Sequence, residues 1–212
     1  MAILENGILG NYKGKLGSTV GRVVNGRNVL TGLHDASIKP LTIEQLGQQC
    51  KMGLVSSFLN QGSNLIKRGF KPKKKIHTPM NMAVQYNLKH AITGNAPDLG
   101  LVYPNIVWSI GDLKNPFQFN VIALPEGVLK FSWTHSQPIS EYAQASDQLM
   151  VFVYNATKER FTIVENATER ASMEFVLTLP ADLAGNELHV YSFFTGYKGR
   201  SSNSIYSQIK LY

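Results

Sequence analysis

The sequence predicts an α+β fold, with a β-hairpin and helices first and an antiparallel β-sandwich after them. Three observations predict it. Charge is divided: residues 1–100 hold thirteen Lys/Arg and four Asp/Glu, residues 101–212 hold eight and ten. Two segments of the first half carry apolar residues at helical spacing. The second half breaks into short β-prone runs separated by turns. A chain of 212 residues that is 43% hydrophobic has the composition of a folded protein and the length for two small domains. The expected domains are 1–96 and 103–212, because Gly94, Pro97, Gly100 and Pro104 crowd the join.

The hairpin is read from Asn25-Gly26, which lies between the β-prone runs Ser18–Val24 and Arg27–Leu33. Asn-Gly tolerates the positive φ of a type I′ turn. Arg22 and Arg27 then flank the tip. Upstream, Gly7, Gly10, Gly14 and Gly17 surround Lys13 and Lys15. A phosphate loop would need four residues between its glycines and a hydroxyl after its lysine. Gly10 and Gly14 are one residue too close, and Leu16 stands where the hydroxyl belongs. Tight turns and close backbone approach are one account of these glycines. An N-terminal arm that orders against a neighbour is another. Its candidate residues are Ile8, Leu9, Lys13, Lys15, Arg22 and Arg27.

A helix is expected after Pro40, where Thr42 and Gln45 fit a capping box. Ile43, Leu46, Cys50, Leu54 and Phe58 mark its apolar face, and Cys50 on that stripe reads as a buried structural thiol. Leu65, Ile66 and Phe70 continue as a second helical piece. Thr78 suits an N-cap with Pro79 at the first helical position, and Ala83, Val84, Leu88 and Ala91 supply the face of a third helix. Between them lie six cations within nine residues: Lys67, Arg68, Lys71, Lys73, Lys74 and Lys75. Such a run attracts phosphate backbones and other polyanions. It is equally the composition of a solvated loop, and it lacks interleaved aromatics for stacking on bases.

Eight strands are expected in the second half: Ile106–Ile110, Phe117–Leu124, Val128–Trp133, Gln148–Tyr154, Phe161–Val164, Met173–Leu179, Leu188–Phe194 and Ile205–Leu211. Trp133 with Phe152, Tyr154, Tyr191, Phe193 and Phe194 is expected to fill the gap between two sheets. The pattern resembles a fibronectin type III or immunoglobulin-like sandwich without a disulfide, since Cys50 is the sole cysteine.

Catalytic patterns are missing. The sequence has no paired carboxylates, His-Glu-x-x-His, cysteine pair or Gly-x-Ser-x-Gly, and His77 and His90 lack metal-ligand spacing. The expectation is therefore a non-enzymatic protein without cofactor, metal or small-molecule ligand. No apolar run is long enough for a bilayer span, and the N-terminus lacks a secretory pattern. A cytoplasmic protein, or part of a virion-like or released assembly, is expected.

The stretches Gly7-Ile8-Leu9-Gly10 and Gly14-Lys15-Leu16-Gly17-Ser18-Thr19-Val20-Gly21 resemble the start of an uncharacterised Bacteroidota family, a domain of unknown function. The likeness continues through Lys39-Pro40, Glu44-Gln45, Tyr86-Asn87-Leu88-Lys89, Ala91-Ile92-Thr93-Gly94, Gly111-Asp112-Leu113, Leu179-Pro180-Ala181 and Ser202-Asn203-Ser204. It spans nearly the whole chain and implies no activity. Where such members carry an Arg-rich stretch after the hairpin, this chain has Leu33-His34-Asp35. The Gly-Lys-x-Gly start and the Lys-Pro-x-Thr-x-x-Gln run also resemble small proteins found near phage structural genes.

The reading that follows is a structural or interaction protein that forms a homo-oligomer or docks through its N-terminal half. The alternative is non-sequence-specific nucleic-acid binding by the basic half. A third reading is carbohydrate binding through exposed aromatics such as Trp108 and Tyr197.

Overall fold

The computed structural model describes residues 3–4, 10, 12–24, 26–34, 40–72, 77–134, 141–180 and 186–210. The chain divides into two compact units, one within Met1–Thr42 and a larger one of Ile43–Lys73 with His77–Tyr212. The join expected at residues 97–102 thus lies inside the larger unit.

The smaller unit is an antiparallel meander of β1 (Ile3–Leu4), β2 (Tyr12–Leu16), β3 (Thr19–Val24) and β4 (Arg27–Gly32). The expected hairpin is β3–β4, closed where Val24 pairs with Arg27. Asn25 at its tip lies outside the described residues. β2 extends the sheet, pairing Lys15 with Val20 and Leu16 with Thr19.

The larger unit begins with α1 (Ile43–Asn60), α2 (Ser63–Gly69) and α3 (Pro79–His90). Thr78 caps α3 as expected, its hydroxyl accepting from Asn81 N at 3.1 Å. A short hairpin, β5 (Ile92–Asn95) and β6 (Asp98–Leu101), occupies the segment expected to be a linker. Seven of the eight expected strands then follow: β7 (Phe117–Leu124), β8 (Val128–Thr134), β9 (Gln148–Asn155), β10 (Arg160–Val164), β11 (Glu174–Thr178), β12 (Glu187–Thr195) and β13 (Ile205–Lys210). Residues 106–110 form no strand beyond one bridge, between Phe70 and Ile110.

These strands make two sheets, ordered β10-β9-β12-β13 and β11-β8-β7. Side chains alternate across a strand, and here both faces of the central pair are buried. From β9 and β12, Leu149, Val151, Val153, Leu188, Val190 and Phe194 meet Val121, Leu129, Phe131 and Trp133 of the three-stranded sheet. The alternate residues Met150, Phe152, Tyr154, Tyr191 and Phe193 meet Val55, Phe58, Leu59, Leu65, Ile66 and Val84 of the helices. The unit is therefore three layers, helices on sheet on sheet.

This arrangement corrects one expectation. Trp133 and Phe194 do fill the gap between sheets, but Phe152, Tyr154, Tyr191 and Phe193 face the helices. The helices share that aromatic cluster, which is why they belong with the sandwich and not with the meander.

Candidate functional site

Three of the stretches that carried the family resemblance, those holding Asn87, Gly111-Asp112-Leu113 and Ser202-Asn203-Ser204, lie in the larger unit and hydrogen-bond with residues around them there. Gly69 O, at the end of α2, accepts from Ile110 N at 3.1 Å and from the Ser201 hydroxyl at 2.9 Å. Ser109 Oγ lies 3.1 Å from the same oxygen and 2.6 Å from Ser202 O. Ser204 Oγ accepts from Trp108 N and Ser109 N at 2.9 and 2.7 Å. Asn203 Oδ1 accepts from Gly111 N at 3.2 Å, and Leu113 N donates to Ser201 O at 3.0 Å. Gly111 packs so closely on Ser201 that a Cβ would collide with its carbonyl oxygen. Asn87, 1% exposed, donates to Ala83 O and Val107 O and accepts from Val107 N. Ser202-Asn203-Ser204, Gly111-Asp112-Leu113 and Asn87 thus fasten α2 and α3 to the sandwich. Buried polar groups need such partners, and these residues work as joints.

Two buried ionisable groups stand apart. The Arg170 side chain has no solvent exposure; its Nε donates to Asp147 Oδ2 at 3.0 Å, and its guanidinium lies 4.4 Å over the Phe194 ring. Burial lowers the Arg170 pKa and Asp147 pulls it back up. Among the described residues, its two terminal nitrogens and Asp147 Oδ1 have no hydrogen-bond partner. His189 stacks on Tyr103 at 4.0 Å between centroids and shares a 2.8 Å hydrogen bond between Nδ1 and the Tyr206 hydroxyl. Burial lowers the His189 pKa, against the pull of Glu187. The neighbouring Tyr154 is pushed up to about 12 by burial first and Tyr103 second. Asp147 is engaged by Arg170 and by Gln144 N, and His189 by Tyr206, so both groups are tied into the fold. A cleft of about 150 Å³ lined by Val153, Asn155, Arg160, Phe161, Thr162, Pro180 and Leu188 brings one charged side chain to its wall. Among the described residues no cluster of three His, Cys, Asp or Glu could hold a metal ion. No described helix is long and apolar enough to cross a membrane.

Other expected positions move. Trp108 is fully buried, in tilted contact with Phe152 at 4.1 Å, so it offers no surface to a carbohydrate; Tyr197 is exposed. Cys50 is exposed too, because the apolar stripe of α1 runs on past the residues that the aromatic cluster covers. Ile43 and Leu46 on the same stripe are likewise open. Of the basic run, Lys67, Arg68 and Lys71 are exposed. Arg68 already pairs with Glu165 at 3.3 Å and with Asn166 Oδ1 at 3.4 Å. Lys71 extends over the Gly199 turn. Lys73, Lys74 and Lys75 lie outside the described residues, as do Ile8 and Leu9 of the arm.

The meander gathers the remaining candidates. Paired residues share a face, so the register puts Lys15, Val20, Arg22, Val24, Arg27, Val29 and Thr31 on one side. Leu16, Thr19, Gly21, Val23, Asn28, Leu30 and Gly32 occupy the other, which carries no charge. The sequence shows these cations but not that three of them align. On the uncharged side, the Tyr12 carbonyl and ring both lie over Gly21, and its hydroxyl is 2.7 Å from Thr19 Oγ1. Only glycine admits that close approach. Around Tyr12, Leu16, Val23 and Leu30 stay 56%, 41% and 58% exposed. Lys13, beside Tyr12, pairs with Ile3 of β1 and is exposed.

A family model described as "Family of unknown function (DUF6266)" matches residues 11–208, so the chain belongs to that family. No curated protein matches. Among solved structures, the fibronectin type III domain of human collagen alpha-1(XX) chain is similar with 14% identity and a TM-score of 0.33, covering 47% of this chain and 85% of that one. The FN5 domain of Drosophila Lar is similar with 13% identity and a TM-score of 0.30, covering 45% and 92%. The sandwich itself rests on the strand pairing and shared core described above.

Proposed function

Starting from a family membership that carries no activity, we propose that this is a non-enzymatic structural protein that self-assembles through its N-terminal meander. The larger unit is the scaffold. One observation carries the reading: Leu16, Val23 and Leu30 stand exposed on a small sheet whose outer strands pair with no further strand among the described residues. A sheet of this size needs an apolar face packed on something to be stable. Both described apolar clusters draw on residues from Val55 onward, so the scaffold has its cores without the meander. Light scattering on the full chain and on residues 43–212 tests the reading. The full chain is expected to associate with rising concentration, and the shorter piece to remain at its own mass. Two monomers throughout would overturn it.

A second reading, binding of a polyanion such as duplex nucleic acid, is favoured by the other face. Lys15, Arg22 and Arg27 share it, and residues 6–34 contain no Asp or Glu. The same reading takes in the run Lys67, Arg68, Lys71, Lys73, Lys74 and Lys75, in which Arg68 is paired with Glu165.

A further inference from the structure

Resting on that assembly reading, we infer that the uncharged face of the meander is a two-fold contact with a second copy of this chain, with Leu16, Val23 and Leu30 packed around Tyr12 at its centre. Charge selects both the occupant and the face. The cations Lys15, Arg22 and Arg27 all point to the opposite side. Stacking two uncharged faces keeps Lys15, Arg22 and Arg27 of the two copies apart. Stacking the other faces, or adding β4 edge-on to another β4, sets Arg22 and Arg27 near those of the second copy, and like charges in contact oppose association. The uncharged face is also self-complementary in relief. Leu16 and Leu30 project from β2 and β4, while Gly21 and Gly32 leave low ground filled in part by Tyr12. An isologous contact of this kind closes as a dimer.

Area sets its strength. Three strands of about six residues make a face of roughly 14 Å by 20 Å. With side-chain relief, two copies bury on the order of 1,000 Å², the lower edge of specific interfaces. The dimer is therefore weak and reversible, and it displays two cationic faces outward. That geometry doubles the sites for a polyanion without either site facing the interface.

Sedimentation of the full chain up to about 1 mM tests this, the regime of weak complexes. The wild type is expected to move toward twice its 23.5 kDa mass. Leu16→Lys with Leu30→Lys is expected to abolish that rise, while Arg22→Ser with Arg27→Ser preserves it. Cross-linking gives a readout that unfolding cannot mimic. In a Cys50→Ser background, Leu30→Cys is expected to form a dimer on mild oxidation. Val29→Cys, adjacent in sequence but on the cationic face, is not. If the wild type associates but the two lysines leave it unchanged, or both cysteines cross-link equally, the contact lies elsewhere and the face is wrongly assigned, while assembly through the meander stands. A wild type that stays monomeric over the whole range overturns both.

Discussion

Replacing Asp147 with Asn probes the buried pair that anchors β9 to the segment before β11. The Arg170 side chain is wholly buried and Asp147 is 1% exposed. With charge centres about 4 Å apart and an effective dielectric near 20, their attraction is roughly 4 kcal/mol. Desolvation costs several kcal/mol per ion, so the intact pair roughly breaks even against apolar residues. Removing one partner is different, because the guanidinium then stays buried with no counter-charge. Its terminal nitrogens have no other partner among the described residues, and the Phe194 ring at 4.4 Å supplies only a cation–π contact. Asp147→Asn should therefore cost about 3–5 kcal/mol. For a unit of this size that is a fall of roughly 10 °C in melting temperature. Arg170→Met in the same background should recover most of the loss, giving a strongly non-additive cycle. Tryptophan fluorescence in urea is the assay, since Trp133 Nε1 donates to Arg170 O at 2.8 Å and reports on the site. A loss below about 1 kcal/mol for Asp147→Asn would show that water reaches Arg170 and refute the reasoning.

Two further outcomes are expected. His189 has a folded pKa below its unfolded value, so the unfolded chain binds its proton more readily. Its contribution to stability is complete above about pH 6.5 and declines as pH falls below that, so melting temperatures between pH 8 and 5 should drop more steeply for wild type than for His189→Gln; parallel profiles would remove the assignment. For the cationic face, three phosphate contacts give a slope of log affinity on log salt near −2.7 for duplex DNA, and Arg22→Ser with Arg27→Ser should bring it close to −0.9. No retention of duplex at low salt would end the polyanion reading.

Strand positions were legible in the sequence because turns and β-prone runs are local signals. Seven strands of the sandwich appear close to where alternation and glycine or proline place them. The layering was not legible by the same route. β9 reads Gln-Leu-Met-Val-Phe-Val-Tyr-Asn, a nearly unbroken apolar run, and an unbroken run marks a strand covered on both faces. That signal was present and pointed to a third layer. Cys50 failed for a different reason. Helical periodicity locates a stripe but not where its cover ends, and α1 is covered only over its C-terminal half. The alignment of Lys15, Arg22 and Arg27 needed the register of two turns, which spacing alone does not supply.

Among the family stretches, Asn87 and Ser202-Asn203-Ser204 are accounted for by architecture. Asn87 is satisfied on both ends of its amide, Ser204 holds two backbone amides, and the α2 terminus is closed by serine hydroxyls. A residue with all its hydrogen-bonding capacity engaged in the fold has none left for a substrate. The apolar side chains of the meander are in the opposite position, with surface exposed to water and no fold-internal use for it. Exposed leucines gathered on one face are a feature of contact surfaces. The distinction favours the proposal that function lies in what the small sheet meets.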